Sequence, residues 1–362
     1  MKLKLWFLGL ALAAVSCSKP VTEALVIDVR ALASAPAEEA LSWDDIASVD
    51  GFFEIDPGHT RMWGGVQFLD DYAGGNLLVE DRTTDSVLSL DGDGNIVASI
   101  SRSGNGPQEY LYTSSCYFDA DGNIAVRDPM KSKELVYRPD GSFVSSSDSF
   151  AYDGFVFSDG SRALVEMNRG ENRRRQFRVY SAEGDTLLAG PLVRPDQTML
   201  SIGGGHFTED GPDACWFRYD DSDTLFHVNP RSYEPAVIMM RGSEIKYEGS
   251  TAEDGTYSFS MSLGRFRHND RIVAGRYFVY RMYDNELDKN HYVLYRMDTH
   301  EMIYHSSEAP VAKVNGVELH LWPAFVKDGF LWCKVSRDDA PLLIPGYDDD
   351  SNQVLVRLKL KR

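Results

Sequence analysis

The sequence predicts an all-β fold, a six-bladed β-propeller of four-stranded antiparallel blades closed by an N-terminal strand. One turn-and-strand pattern recurs six times, and its third positions lie 47, 39, 52, 62 and 54 residues apart. Such spacings are typical of four-stranded blades with connections of variable length. Sustained helical periodicity is absent from the repeats, and helix is expected only around Val29 to Ile46.

Each repeat supplies the strands of one blade. The recurring pattern, a turn followed by a compact apolar strand, occupies 76–79, 123–126, 162–165, 214–217, 276–279 and 330–333. A strand with period-two alternation follows each occurrence, at 87–90, 135–137, 177–180, 225–228, 292–295 and 354–358. A further strand precedes every occurrence, and in five repeats a last strand follows across a tight turn, which gives four strands to a blade.

The sixth repeat stops at its third strand, because the chain ends at Arg362. A blade one strand short would expose a sheet edge. We therefore expect 51–55 to complete the sixth blade, with 25–29 as the alternative strand. On this assignment residues 17–48 are a tether with an N-terminal strand and residues 49–362 are the propeller. Deletion up to about 48 should then cost little stability, whereas deletion up to about 57 should open the ring.

The N-terminus has the pattern of an export signal. Lys2 and Lys4 precede an apolar run, 5–15, that is too short to span a bilayer and is typical of a signal peptide, here residues 1–16. Ser16 before Cys17 resembles the bacterial lipobox, although Ala14 stands where leucine is more usual. The resemblance implies lipidation at Cys17 and a membrane-anchored protein of the cell envelope. The alternative is an ordinary signal peptide with a chance cysteine.

The residues that follow Cys17 indicate which side of the membrane the anchored protein faces. In some bacteria, acidic residues close behind the lipidated cysteine are associated with export to the cell surface. Here the first acidic residue after Cys17 is Glu23. We therefore expect an outer-membrane anchor that faces the periplasm.

Charge and cysteine content exclude several classes of function. The net charge is −18, and it becomes −20 once Lys2 and Lys4 are removed, so the chain repels nucleic acid, which is not expected as a partner. Cys116, Cys215 and Cys333 are three in number and lie in apolar stretches, so buried free thiols are favoured over a disulfide. Their spacing fits no zinc site, and no metal or other cofactor is predicted.

Two motifs carry a resemblance to a known family. They are the glycine-rich loop 103–110 (Ser-Gly-Asn-Gly-Pro-Gln-Glu-Tyr) and the hairpin 137–143 (Tyr-Arg-Pro-Asp-Gly-Ser-Phe). With the strand 26–29 and Cys17, they resemble the six-bladed β-propeller lipoproteins of Bacteroidetes-type bacteria. The resemblance implies the fold and an envelope location, and it implies no activity.

Connection lengths indicate where a ligand would bind. The first-to-second and third-to-fourth connections are mostly tight turns, whereas the others are long: 101–115, 169–176, 191–205, 241–258, 283–291, 305–317 and 336–353. In a propeller these two sets lie on opposite faces, here named the short-turn face and the long-loop face. Function concentrates on variable loops held by a rigid scaffold, so we expect the site on the long-loop face, at the mouth of the central channel.

Candidate ligand-binding residues come from the first long loop. Arg102, Gln108 and Glu109 flank its glycines. In the alternative interpretation the loop is only a connector, in which Glu109 caps backbone amides and Tyr110 packs between blades.

A second set comes from the one basic cluster of this acidic chain, 169–175, where Arg173 and Arg174 are candidates for an anionic partner such as an acidic glycan or an envelope protein. The alternative is a solvated hairpin tip. The acidic segment 91–95 predicts a hairpin turn, because an EF-hand would need glycine and glutamate where Ile96 and Arg102 stand.

The functional prediction is a non-catalytic binding or scaffold module of the cell envelope with an unidentified ligand, such as a glycan, a peptide or an envelope protein. The sequence has no nucleophile elbow and no local metalloprotease motif. The first alternative is a propeller hydrolase or lyase acting on glycan or peptide, for which paired carboxylates and a histidine would be expected at the channel mouth. The second is a component of a larger envelope complex.

Overall fold

Antiparallel strands fold back on one another in six successive sheets, each of which forms one blade. The computed structural model describes residues 23–38, 41–60, 66–73, 75–81, 84–119, 121–149, 151–167, 175–192, 205–220, 222–242, 246–251, 257–262, 264–327, 329–348 and 351–361. The six-bladed propeller predicted from the repeats is confirmed.

Four elements precede the first blade: β1 (Leu25–Asp28), α1 (Val29–Ser34), α2 (Trp43–Ile46) and β2 (Ala47–Glu54). Both helices begin at a side-chain cap, which satisfies amides that have no partner inside the helix. Asp28 accepts hydrogen bonds from the amides of Arg30 and Ala31, and Ser42 and Asp45 form a capping box. Helix in this region agrees with the prediction for 29–46.

The first three blades follow in chain order, each from its inner strand to its outer strand. Their strands are β3 (Val66–Ala73), β4 (Asn76–Asp81), β5 (Ser86–Leu90), β6 (Ile96–Ile100); β7 (Ser115–Phe118), β8 (Ile124–Asp128), β9 (Lys133–Tyr137), β10 (Phe143–Asp148); β11 (Ala151–Val156), β12 (Arg162–Met167), β13 (Arg175–Tyr180) and β14 (Thr186–Ala189).

The other three blades are interrupted by two accessory hairpins and a short helix. The elements are β15 (Gly205–Glu209), β16 (Cys215–Tyr219), β17 (Thr224–Asn229), β18 (Ser232–Met240), the hairpin β19 (Lys246–Thr251) and β20 (Tyr257–Ser262), β21 (Phe266–Ala274), β22 (Tyr277–Asp284), β23 (Lys289–Arg296), β24 (Met302–Ser306), the hairpin β25 (Val311–Val314) and β26 (Val317–His320), β27 (Pro323–Lys327), β28 (Phe330–Lys334), α3 (Ala340–Leu343) and β29 (Val354–Leu360). The helix α3, inside the long connection of the sixth blade, was not predicted.

The core lies between blades rather than within them. Every residue of Ser86–Leu90 and of Ile124–Asp128 is buried, because a middle strand has a neighbouring blade on each face. Apolar clusters join blade 1 to blade 2, blade 3 to blade 4, blade 4 to blade 5 and blade 5 to blade 6. Cys116, Cys215 and Cys333 lie in these clusters as buried thiols that form no disulfide, as predicted.

The ring closes between the last and the first blade, as predicted. β2 pairs antiparallel with β29, and Phe52 lies opposite Val356. Ile55, just beyond β2, is fully buried in a cluster that contains residues of blades 6 and 1. The turn of blade 1 approaches this strand so closely that a Cβ on Gly94 would lie 2.1 Å from the carbonyl oxygen of Glu54.

The segment expected to be a tether is packed against the propeller from Leu25 onwards. β1 pairs in parallel with β18, the outer strand of blade 4, instead of closing the ring. Leu25, Ile27, Val29 and Leu32 are buried in the cluster between blades 4 and 5. The sequence interpretation failed because the alternation of only four residues in β1 cannot indicate which sheet edge it covers.

The segment α2 also belongs to the packed domain. Trp43 and Ile46 are buried in the cluster between blades 5 and 6, and the indole Nε1 of Trp43 donates a hydrogen bond to Leu321 O at 2.8 Å. The boundary expected at 49 therefore does not divide a tether from the domain. Deletion up to 48 would remove buried side chains, and we now expect it to destabilise the protein. In the described part of the chain, no helix has the length and apolar character needed to cross a membrane.

Candidate functional site

The direction of the strands places polar side chains at one end of the channel. The inner strand of each blade starts on the long-loop face, and the second strand ends there, because the tight turn between them lies on the opposite face. The turns 119–123 and 157–161 have this position, with backbone hydrogen bonds across each. Residues at the start of inner strands and at the end of second strands therefore meet at the long-loop face.

The channel contains a cavity of about 240 Å³, which is lined by the inner strands of blades 2, 3, 4 and 6. Lys327 and Glu209, the last residues of their inner strands, form an ion pair of 2.9 Å towards the short-turn face. This ion pair joins blade 6 to blade 4 at the channel end away from the long loops.

A larger cavity of about 480 Å³, the inner cavity, opens between blades 4, 5 and 6. It reaches the start of the inner strands of blades 4 and 6, and this place is the channel mouth. Its charged and aromatic lining residues are His206, Arg218, Asp270, Arg271, Arg281, Trp322, Phe325 and Lys334. Four of these side chains, three arginines and one lysine, are basic, and one is a carboxylate. The inner cavity is therefore rich in positive charge, although the chain as a whole carries a net charge of −18.

Arg271 is the most deeply buried of the four cations, with 5 % of its surface exposed. Its guanidinium donates to two backbone carbonyls of blade 4, Asp220 O at 2.9 Å and Ser222 O. Burial, and then the neighbouring charge of Arg218, lower its pKa. Carbonyl oxygens hold the guanidinium in place without neutralising its charge, so Arg271 supplies a fixed positive charge at the cavity wall.

Asp270 lies on the same wall. Among the described residues that line the inner cavity, it is the one carboxylate. Its Oδ2 lies 2.6 Å from Arg281 Nε and accepts a hydrogen bond of 3.0 Å from Trp322 Nε1. Burial raises the pKa of Asp270 despite the opposing charge of Arg281. The bond to Asp270 also fixes the indole of Trp322, whose ring meets that of Tyr292 edge-on at 4.9 Å.

His206 lies between two carboxylates at the start of the inner strand of blade 4. Its Nε2 is 3.1 Å from Asp220 Oδ1, and its Nδ1 is 3.8 Å from Asp153 Oδ2. Burial is the largest single influence on the pKa of His206 and would lower it, but the hydrogen bond to Asp220 and the charges of Asp220 and Asp153 together raise it. Burial alone would raise the pKa of Asp220, but His206 and then Arg218 hold it well below its usual range.

A second cavity, the outer cavity, of about 700 Å³, continues from the channel mouth over blades 5 and 6. Trp322 and Lys334 line both cavities. The other polar side chains of the outer cavity are Tyr292, Ser307, Glu308, His320, Ser336, Arg337 and Gln353. The long connections 305–317 and 336–353 supply many of these residues.

The loop with the predicted candidates lies between blades 1 and 2, away from the inner cavity between blades 4 to 6. Glu109 Oε2 accepts a hydrogen bond of 2.7 Å from the amide of Gly106 in its own loop. Tyr110 is buried and donates to Asp85 O at 2.6 Å and Ile100 O at 2.9 Å. This geometry supports the connector interpretation.

The neighbouring candidates make local contacts as well. Arg102 donates to Gly141 O at 3.4 Å, and the carbonyl of Gln108 accepts from Tyr137 at 3.0 Å. A ligand role for Arg102, Gln108 and Glu109 stays a prediction.

Other predicted sites lie outside the described residues or have a structural role. Cys17, Arg173 and Arg174 lie outside the described residues. In the segment 91–95, the Asp91 carboxylate accepts from the amides of Asp93 and Asn95, as in an ordinary turn. Within the ranges that the structure describes, no three His, Cys, Asp or Glu side chains gather as a metal ion would require.

Sequence reasoning missed the residues of the inner cavity because they come from different blades. Arg218 lies in blade 4, whereas the neighbours Asp270 and Arg271 lie in blade 5, more than 50 residues further along the chain. The sequence did contain one indication of these residues, because Asn269–Arg271 is a polar run inside a predicted inner strand. Only the blade geometry indicates that it faces the channel.

Comparison with known proteins agrees with this architecture. Residues 64–184 match the family model DUF5128, described as a 6-bladed beta-propeller. A Bacteroides fragilis protein whose name describes it as exported is 15% identical, with a TM-score of 0.60 over 94% of this chain and 100% of that one. The chain thus shares the six-bladed β-propeller fold of this family model and of the Bacteroides protein.

More distant structures share the fold. A member of the DUF4221 family from Bacteroides vulgatus is 10% identical, with a TM-score of 0.50 over 87% of this chain and 98% of that one. Virginiamycin B lyase from Staphylococcus aureus is 12% identical, with a TM-score of 0.41 over 86% and 99%, which is too distant to bear on chemistry. No curated protein matches the chain.

Proposed function

We propose that this propeller is a binding module of the cell envelope whose ligand occupies the channel mouth on the long-loop face. The observation that carries the proposal is the inner cavity between blades 4, 5 and 6, with its excess of fixed cations and its oriented indole. Ligand sites are typically concave and of about 300–1,000 Å³, with a few fixed polar groups. The inner cavity has this size and this lining.

Binding is favoured over catalysis because the polar groups of the channel mouth are held by protein partners. Arg271 donates to backbone carbonyls, and Asp270 already accepts from Trp322. Rigid, satisfied side chains recognise a ligand with little loss of conformational entropy.

The location of the module is part of the proposal. We propose export, lipidation at Cys17 and an outer-membrane anchor that faces the periplasm. The basic and apolar pattern of residues 1–16 supports this. An acyl anchor would leave the propeller in water with its loops accessible.

The test is a binding screen of the mature protein in detergent against saccharides, peptides and small metabolites, followed by calorimetry on the hits. Trp322→Ala and Arg218→Met should each weaken a genuine hit by about tenfold or more, because each removes a contact at the channel mouth. Lys133→Met, which removes a surface cation on blade 2 whose partner is Asp148, is the matched control. A hit that both variants bind like the wild type would refute the location of the site.

A hydrolase or lyase acting on glycan or peptide is the second candidate. Paired carboxylates and a histidine were expected for it at the channel mouth, and His206 lies there between Asp153 and Asp220. Acid–base catalysis needs one group that holds a proton and another that has lost it. Burial raises the pKa of Asp270, and His206 and Arg218 lower that of Asp220, so the pKa values of these two carboxyl groups are shifted in opposite directions.

The enzyme candidate is tested by incubating the protein with polysaccharide and peptide panels and analysing the products by chromatography. Turnover that is abolished by His206→Gln, while binding persists, would replace the binding module by an enzyme. Absence of products across both panels would remove this candidate.

A further inference from the structure

The proposed binding site, on which this inference rests, has a chemistry that narrows its ligand. We infer that the channel mouth holds an acidic oligosaccharide, with its carboxylate or sulfate group in the inner cavity and its following sugar units along the outer cavity. Three features of the described residues lead to this class.

The first feature is repulsion between cations in the inner cavity. Arg218 and Arg271 line the same wall, and the charge of each disfavours that of the other. Arg218 has Asp220 as a partner at 3.3 Å, but Asp220 is also the partner of His206, which carries its own raised pKa. Asp220 is thus shared between Arg218 and His206, with Asp153 3.8 Å from the histidine as well, while Arg271 is held by carbonyls.

An incoming anion would relieve this repulsion. Planar guanidinium groups bind carboxylate and sulfate oxygens through parallel hydrogen bonds, and these bonds are stronger where water is excluded. The Nε–H of Arg271 is buried and has no hydrogen-bond partner among the described residues, so the two carbonyls leave one donor of this guanidinium unsatisfied. The inner cavity therefore fits an acid group better than a neutral one.

The second feature is the kind of surface around the cations. One indole, that of Trp322, lies among hydroxyl, amide and charged side chains in both cavities. A flat apolar ring with hydrogen-bonding groups around it matches a pyranose, which has an apolar face and a rim of hydroxyls.

The third feature is the combined length of the inner and outer cavities. The inner and outer cavities share Trp322 and Lys334, so a ligand whose first unit lies on the indole can continue without a break over blades 5 and 6. The combined site is larger than a single sugar needs. A chain of several units, rather than a monosaccharide, would use both cavities.

The experiment is isothermal titration of the mature protein with tetragalacturonate, its fully methyl-esterified form, monomeric galacturonate, and a sulfated and an unsulfated galactan tetramer. Tetragalacturonate or the sulfated galactan should bind at least about tenfold more tightly than its uncharged counterpart, and which of the two does so identifies the acid group. The tetramer should also bind more tightly than the monomer.

Variants locate the contacts. Arg218→Met should reduce affinity for the acid by about 10- to 100-fold and leave the weaker binding of the ester nearly unchanged. Ser336→Ala, in the outer cavity, should weaken tetramer binding and leave monomer binding unchanged. Lys133→Met should change neither.

The outcomes separate this inference from the proposed function. Equal affinity for acid and ester, lost in Trp322→Ala, would refute the acidic ligand and leave the site in place. Hexaglutamate, an acidic peptide, is titrated in the same way, and its binding in preference to every saccharide would refute the sugar. Acid binding that is unaffected by Arg218→Met and Trp322→Ala would refute the site itself. Failure of all five saccharides to bind would overturn the inference of an acidic oligosaccharide, while the wider binding screen would still test the site.

Discussion

Trp43 gives the sharpest test of the finding that the N-terminal segment belongs to the propeller. Its side chain is 1 % exposed and packs in the cluster that joins blades 5 and 6. Replacing a buried tryptophan by alanine removes its packing and leaves a cavity, which costs about 3–5 kcal/mol. Trp43→Phe keeps much of the apolar contact but leaves the carbonyl of Leu321 without its donor, at a cost of about 1–3 kcal/mol.

The assay is urea unfolding followed by circular dichroism, with the free energy of unfolding extrapolated to water. The control is Leu287→Ala, since Leu287 is 59 % exposed and its truncation should cost less than about 0.5 kcal/mol. The expected order of stability is wild type and Leu287→Ala, then Trp43→Phe, then Trp43→Ala. If Trp43→Ala has the same free energy of unfolding as Leu287→Ala, the segment around Trp43 is a tether and not part of the packed propeller.

Three further predictions concern the anchor, the pH and the first long loop. Cys17→Ser should move the protein from the membrane pellet to the soluble fraction, and a variant that still pellets would exclude the lipobox. Burial lowers the pKa of His291 from 6.5 to about 4, so the unfolded state binds the proton first and the free energy of unfolding should fall as the pH falls from about 6.5 to 4. His291→Gln should flatten that part of the profile in urea unfolding at several pH values, and an unchanged slope would contradict the assignment. Glu109→Ala should cost about 1 kcal/mol by releasing the Gly106 amide and leave ligand affinity unchanged, whereas lost affinity would give Glu109 a binding role.

The blades could be predicted from sequence because each one repeats the same local physics. A turn with positive φ, a compact apolar strand and an alternating strand are all local features, and β4 and β5 lie where the pattern placed them. Ring closure was also predictable, because an unpaired edge in the last blade requires a partner and Phe52 lies in a segment of the right character.

The packing of the first strand and the composition of the site could not be predicted in this way. β1 is four residues long, and its parallel partner is more than 200 residues away, so nothing local selects blade 4. The inner cavity brings together Arg218 and Arg271 from two blades, and a lone arginine in a strand has the same local pattern whether it faces the channel or solvent. Glycine-rich loops attract attention in a sequence, but Glu109 turns onto its own loop.

The most direct test of the binding site is a crystal structure of the mature protein with the tightest-binding acidic tetrasaccharide. The expected result is a sugar ring on Trp322, with the acid group within hydrogen-bond distance of Arg218 and Arg271 and the following units over the connection 336–353. Ligand density on the short-turn face, or on the loop 103–110, would contradict the assignment of the channel mouth as the site.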